Sequence, residues 1–122
     1  MCIFCDKINN GDYFYENEEV VALYDVYPVA KGHCLIISKR HFDNFFLATA
    51  SEEEAINKAI RAVKKIIDEL YKPDGYNIGI NIGEVAGQSV MHLHVHLIPR
   101  YLNDMDNPKG GVRGVIPEKQ KY

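Results

Sequence analysis

Gly87-Gln88-Ser89-Val90-Met91-His92-Leu93-His94-Val95-His96-Leu97-Ile98 is the stretch that decides how this chain is read. Three of the chain's 5 histidines alternate here with Leu93 and Val95. Period-two alternation of apolar and polar residues marks a half-buried β-strand. Residues two apart on a strand share a face and lie roughly 6.5–7 Å apart, so His92, His94 and His96 form a row of imidazoles. Leu93, Val95 and Leu97 then point to a core on the opposite face. A helix would turn successive histidines by about 200° and scatter the row. Three imidazoles titrating near neutrality on one face call for partners, and three readings compete for them. They are surface groups on a solvated strand, or metal ligands of the His-x-His type, or a nucleophile flanked by residues that orient it and serve a leaving group.

Working outward, Gly83-Glu84-Val85-Ala86-Gly87-Gln88-Ser89 is a small-residue loop entering the strand. Its backbone N–H groups and the Ser89 hydroxyl are suited to cradle phosphate oxygens. Joined to the imidazole row, it favours phosphoryl or nucleotidyl chemistry. Upstream, Tyr76 to Ile82 alternates as a strand. Before it, Ala55, Ile56, Ala59, Ile60, Val63, Ile66, Ile67 and Leu70 recur at helical spacing, giving a long helix from about Ser51 to Tyr71. Ser51 with Glu54 reads as its capping box, and Lys72-Pro73-Asp74-Gly75 ends it. Cys34-Leu35-Ile36-Ile37-Ser38 is a strand behind the Asp25–Lys31 loop. Tyr13–Glu16 and Val20–Tyr24 make a hairpin, and Ile3 to Ile8 a short helix stopped by Asn9-Asn10-Gly11. The expected class is α+β: an antiparallel sheet with one long and one short helix packed on one face of it.

The 122 residues suit a single domain, with a core over about 1–101 and an Asn-, Gly- and Pro-rich tail over about 102–122 lying on the surface. A net charge of −3 offers no basic footprint, so nucleic acid is not an expected partner. Nor is a membrane, because no apolar run approaches 18–20 residues. The N-terminus lacks a basic-then-apolar leader, and the 3 cysteines suit a reducing compartment, so the expected location is cytoplasmic. Cys2-x-x-Cys5 admits redox, metal-binding and accidental readings. The redox reading wants a strand leading into the motif, which is not seen here.

His92-Leu93-His94-Val95-His96-Leu97-Ile98 resembles the His-φ-His-φ-His-φ-φ signature (φ apolar) of the histidine triad, or HIT, superfamily of nucleotide hydrolases and transferases. Leu23-Tyr24-Asp25-Val26-Tyr27-Pro28, then Lys31-Gly32-His33 and Leu35-Ile36-Ile37-Ser38-Lys39-Arg40-His41, are similar to its nucleoside-binding segment. Asn77-Ile78-Gly79-Ile80-Asn81-Ile82-Gly83 is similar to its next strand. Several separated motifs in the family's order make the resemblance specific. It implies a half-barrel sheet and a homodimer in which the long helix and the Tyr76–Ile82 strand of each chain meet. It implies that His94 attacks the α-phosphorus of a purine (AMP-like) nucleotide to form a nucleotidyl-histidine, with His96, His33 and Ser89 also in the catalytic group. The substrate would be a nucleoside phosphoramidate, an aminoacyl adenylate or a dinucleoside polyphosphate. Ile8, Leu23, Val26 and Leu35 would flank the base and Asp25 would bind the ribose. Asn81, Gly87, Gln88, Ser89, His94 and His96 would contact phosphate or leaving group. The aliphatic residues also suit the core, and Asp25 also suits a turn. Some bacterial members and the related galactose-1-phosphate uridylyltransferases further imply a structural Zn2+ on Cys2, Cys5, His41 and His92. Pro99-Arg100 departs from the Gly-Gly of the Hint-like branch and is closer to Fhit-like and bacterial forms. In the tail, Arg113 reads either as an anion clamp or as padding at a dimer contact. A different class of function, a zinc-stabilised nucleotide-binding or regulatory protein with little turnover, also fits these residues.

Overall fold

The computed structural model describes residues 2–122. Helix α1 spans Ile3–Asn9, and strands β1 (Tyr15–Glu16) and β2 (Val20–Tyr24) form the hairpin. Strand β3 is Cys34–Ser38, helix α2 is Ala50–Tyr71, β4 is Gly75–Gly79 and β5 is His94–Arg100. The five strands form one antiparallel sheet in the order β1-β2-β3-β5-β4. This is the α+β architecture expected from the patterning, and β4 stands at the sheet's edge.

Alternation along the strands sorts the two faces. Val20, Ala22, Cys34, Ile36, Leu93, Val95 and Leu97 pack against Ala55, Ile56, Ala59, Val63 and Ile67 of α2. Each large aliphatic group removed from water here contributes about 1.5–3 kcal/mol. Val21, Leu23, Leu35 and Ile37 point the other way and are covered by Phe4 of α1. The helices therefore lie on opposite faces, not on one as the sequence suggested. Helix α1 has a single buried residue, Phe4, and is too short to cover the broad face that α2 occupies.

Helix α2 begins earlier than its sequence signal suggested. Thr49 is the cap: its hydroxyl accepts from the Glu52 N–H at 3.0 Å, and Glu52 Oε1 accepts from the Thr49 N–H at 2.9 Å. Thr49–Glu52 and Ser51–Glu54 both fit the capping-box spacing, and a distant residue decides between them. Arg40 donates to both oxygens of the buried Glu52, at 2.8 and 3.0 Å, while Ser51 Oγ donates to Glu19. Of the expected apolar stripe, Ile60 and Ile66 are half-buried and Leu70 is 62% exposed.

Two strand boundaries also move. The β4–β5 ladder stops at Gly79 opposite His96, so residues 80–82 leave the sheet. His92 precedes β5, and its ring leaves the row to donate from Nε2 to the Ser38 carbonyl at 2.6 Å. Gly32, at φ +84°, is required where the β2–β3 loop meets α2: a Cβ there would stand 2.9 Å from the Tyr71 ring. That close approach delivers His33 into the site. Among the described residues, no helix is long and apolar enough to cross a membrane.

Candidate active site and metal centre

On the α1 side of the sheet, a cavity of about 320 Å3 opens beside β5. Of the residues proposed from sequence, Leu23, Asp25, Val26, Leu35, Asn81, Gly87, Ser89, His94 and His96 line it. Ile8, Gln88 and His33 do not, and His33 reaches the site through its contact with His96. Ile8 packs half-buried behind the wall against the Phe4 cluster. The Gln88 amide is spent on the loop: Oε1 accepts from the Gly83 N–H at 2.8 Å, and Nε2 donates to the carbonyls of Asp43 and Val90. The N–H groups of Ala86, Gly87 and Gln88 also bond within the loop. The expected backbone cradle is thus largely self-satisfied, leaving Gly87 and Ser89 as the loop residues at the cavity. Sequence reasoning missed Ile3, Phe4, Lys7, Tyr24, Tyr27 and Val90, which complete the lining. Phe4 had a usable signal, an apolar residue between the two cysteines of a short helix.

The histidines are held as specific tautomers. His94 Nδ1 is 2.8 Å from the His92 carbonyl, which only accepts, so Nδ1 carries the proton and Nε2 is a bare lone pair. The Phe4 ring meets the imidazole of His94 edge-on at 5.1 Å and fixes its plane. His33 Nδ1 accepts from the Val29 N–H at 3.1 Å, so its proton is on Nε2. Nε2 then donates to His96 Nδ1 at 3.0 Å, which leaves the His96 proton on Nε2. The result is one nucleophilic nitrogen and one N–H donor on neighbouring rings, 5.3 Å apart between centroids. Asp25 Oδ2 lies 3.4 Å from His33 Nε2, and Oδ1 accepts from the Tyr27 N–H at 2.8 Å. Asp25 therefore shapes its turn and lines the cavity at once.

Burial pushes His33 below the ordinary imidazole range, against the opposing pull of Asp25. Burial also pushes His96 down, reinforced by His94 and His33. Both rings are neutral in folded and unfolded chains above about pH 6.5. Below it the unfolded chain binds protons that the folded chain refuses, so stability falls as pH drops through that value. We expect a lower melting temperature at pH 5.5 than at 7.5, with a shallower dependence in a His33→Gln, His96→Gln double variant. Equal slopes for the two proteins would show that these rings do not set the acid sensitivity.

Cys2, Cys5, His41 and His92 converge at the end of α1. His92 Nδ1 is 3.3 Å from Cys2 Sγ, 3.6 Å from Cys5 Sγ and 3.1 Å from His41 Nδ1, and Cys5 Sγ is 3.4 Å from His41 Nδ1. Ligand atoms around a tetrahedral zinc stand about 3.3–3.8 Å apart, so this donor set fits the ion. His92 donates its other nitrogen's proton to Ser38, which aims a bare Nδ1 at the cluster. Partial burial, with the Cys2 sulfur and the Asp6 charge nearby, raises the Cys5 thiol. A divalent cation reverses that balance in favour of thiolates.

A family model described as the HIT domain matches residues 7–103. The chain belongs to the HIT family. An uncharacterised HIT-like protein of Methanocaldococcus jannaschii is 44% identical over 117 residues, covering 91% of this chain and 88% of that one. A Zn-bound histidine triad family protein from Mycobacterium smegmatis superposes with a TM-score of 0.74 at 31% identity, covering 84% of this chain and 77% of that one. Two further HIT relatives have named activities. The adenylylsulfatase of Arabidopsis thaliana is 32% identical, over 84% of this chain and 54% of its own length. The bis(5'-adenosyl)-triphosphatase of Saccharomyces cerevisiae is 38% identical, over 72% of this chain and 43% of its own.

Proposed function

We propose that this HIT protein hydrolyses a purine nucleoside 5'-phosphate derivative at its α-phosphorus through a nucleotidyl-His94 intermediate, releasing nucleoside monophosphate. The observation that carries this reading is the bare Nε2 of His94, fixed by the His92 carbonyl in the cavity that Asp25, Ser89 and His96 also line. Leu23, Val26 and Leu35 offer apolar walls to a flat base, and Asp25 offers a carboxylate to ribose hydroxyls. In the first step His94 Nε2 forms a bond to phosphorus while the bond to the leaving group breaks. The electron pair departs with the leaving atom, which accepts a hydrogen bond from the His96 Nε2–H and takes its proton from solvent. In the second step water attacks phosphorus and loses a proton to solvent, and the bond to His94 Nε2 breaks with its electron pair returning to that nitrogen. Splitting one difficult displacement into two is what a covalent nucleophile supplies. His33 holds His96 in the donor tautomer, and Ser89 and Asn81 present polar groups to the phosphate. The named activities of the plant and yeast relatives, an adenylylsulfatase and a bis(5'-adenosyl)-triphosphatase, support an adenosine nucleotide as the substrate. Release of AMP from adenosine 5'-phosphoramidate by the purified chain tests it. Binding of AMP without any turnover would favour a nucleotide-binding or regulatory role.

Zinc on Cys2, Cys5, His41 and His92 is part of the same proposal. With four protein ligands the site is closed and structural, so it supplies no catalytic hydroxide. The free cysteines suit a cytoplasmic setting. A homodimer is supported by β4 at the sheet edge, where Ile78 is 47% exposed, and by Leu70 of α2. A two-fold partner presenting the same patch covers both. Sedimentation at micromolar concentration is expected to give about 28 kDa, twice the 13.9 kDa chain. A single species at the chain mass would refute the dimer.

A further inference from the structure

Among the described residues, one lysine and no arginine lines the cavity beside β5: Lys7 of α1, which takes no part in the chemistry at phosphorus. It stands at the end remote from that chemistry. Beyond Leu23, Tyr24 and Val26 the space continues into a groove of about 390 Å3, which Lys7 also lines. None of Asp25, Ser89, His94 and His96 reaches that groove. The half-buried Lys7 side chain is held in place there. Gly11, at φ +68°, turns the chain back after α1, and the Asp12 N–H donates to the Lys7 carbonyl at 2.9 Å. The returning Asp12 carboxylate then accepts from Lys7 Nζ at 2.9 Å, from the groove side. That bond uses one of three N–H donors on the ammonium.

From this we infer that Lys7 reads the base, donating to the 6-oxygen of a 6-oxopurine, so that guanosine derivatives are better substrates of this chain than adenosine derivatives. The inference rests on a purine nucleotide filling the cavity with its phosphorus at His94 and its ribose at Asp25. N9 of the purine then faces the ribose end. The rim farthest from N9, which carries C6 and N1, faces the end where Lys7 stands. Ile3, Leu23 and Val26 beside it are apolar and cannot tell a carbonyl from an amine. An ammonium can, because it only donates. Guanine O6 accepts, on the edge that lysine and arginine contact most often in duplex DNA. Adenine puts an amino group, itself a donor, in the same place. One polar group at the end of an apolar slot is the usual means by which such a site sets orientation and specificity. Asp12 acts through Lys7 and is a positioning residue. Adenosine derivatives remain substrates, with a smaller kcat/KM.

Calorimetric titration with GMP, IMP and AMP reads the base preference without turnover, and the 5'-phosphoramidates of guanosine, inosine and adenosine read it in kcat/KM. GMP is expected to bind about tenfold more tightly than AMP, and kcat/KM to differ by a similar factor. IMP, which has the 6-oxygen and lacks the 2-amino group, is expected to follow GMP. Lys7→Met keeps the apolar stem and the helix propensity, and its GMP-to-AMP ratio should fall below about twofold. In Asp12→Ala, where the ammonium is no longer held, the ratio should fall to about threefold. Lys7→Arg, still a donor, should retain a GMP preference. Equal affinities for GMP and AMP in the intact chain overturn the inference. IMP following AMP assigns the preference to the 2-amino group, which overturns it as well. An unchanged ratio in Lys7→Met makes Lys7 and Asp12 a solvated surface pair, and an equal loss for all three nucleotides moves Lys7 to the phosphate; either result overturns the assignment. A GMP preference that disappears in Lys7→Met, in a chain that releases no monophosphate from any compound, upholds the base reading and ends the His94 mechanism alone.

Discussion

Replacing His94 by alanine should slow release of nucleoside monophosphate by at least about a thousandfold, equivalent to about 4 kcal/mol of transition-state stabilisation. The size follows from what is lost. The imidazole Nε2 is the one bare nitrogen of the β5 histidines that faces the cavity, and its proton is pinned at Nδ1 by the His92 carbonyl. Water attacking phosphorus directly would have neither that nucleophilicity nor that fixed position. Affinity for AMP should change by no more than about threefold, because the base walls, Asp25 and Ser89 remain. Calorimetric titration with AMP measures that, and the release assay measures turnover. Added imidazole should partly restore turnover in His94→Gly, where the vacated space admits it. Near-parental turnover in His94→Ala would end the covalent mechanism. An adduct trapped on His96 would move the nucleophile within the row.

Much of this could be read from the chain because local pattern and tertiary role agree there. Alternation over residues 93–97 places Leu93, Val95 and Leu97 in the core and His94 and His96 on the far face, as found. The β3 boundaries follow from an uninterrupted apolar run. The Cys-x-x-Cys pair and two distant histidines converge, although no local signal links residue 5 to residue 92. There the family resemblance supplied the connection.

What could not be read depends on partners far away in sequence. The α2 cap is set by Arg40, which needs Glu52 and so selects Thr49 over an equally good motif at Ser51. Gln88 has the chemistry of a phosphate ligand, yet the loop's own donors and acceptors capture it first. Arg113 reads as an anion clamp until Lys119 and Gln120 turn back to meet it. The helices fall on opposite faces because Phe4 has a cavity wall to complete, and periodicity in a seven-residue helix is too brief to reveal it.

Loss of the metal should be the largest stability effect in the molecule. Elemental analysis of the purified chain is expected to give about one zinc per chain. Cys5→Ser, or chelation, should remove it and lower the melting temperature by about 10 °C or more, since binding energy at a structural site is folding energy. Helix α1 explains why the effect should be large. Seven residues are too few for a stable isolated helix, and α1 buries only Phe4. Cys2 caps that helix, its sulfur accepting from the Cys5 N–H, so the ion would fasten the cap, His41 and His92 together. The same helix carries Ile3, Phe4 and Lys7 into the cavity wall, and Phe4 orients His94. Metal-free protein should therefore bind nucleotide several-fold more weakly as well as melt earlier, although zinc touches no substrate. Ser38→Ala, which keeps the carbonyl that His92 bonds, should retain the metal. A metal-free chain with unchanged melting temperature would show that packing around Phe4 suffices to hold α1, and the four residues would then be a convergence without an ion.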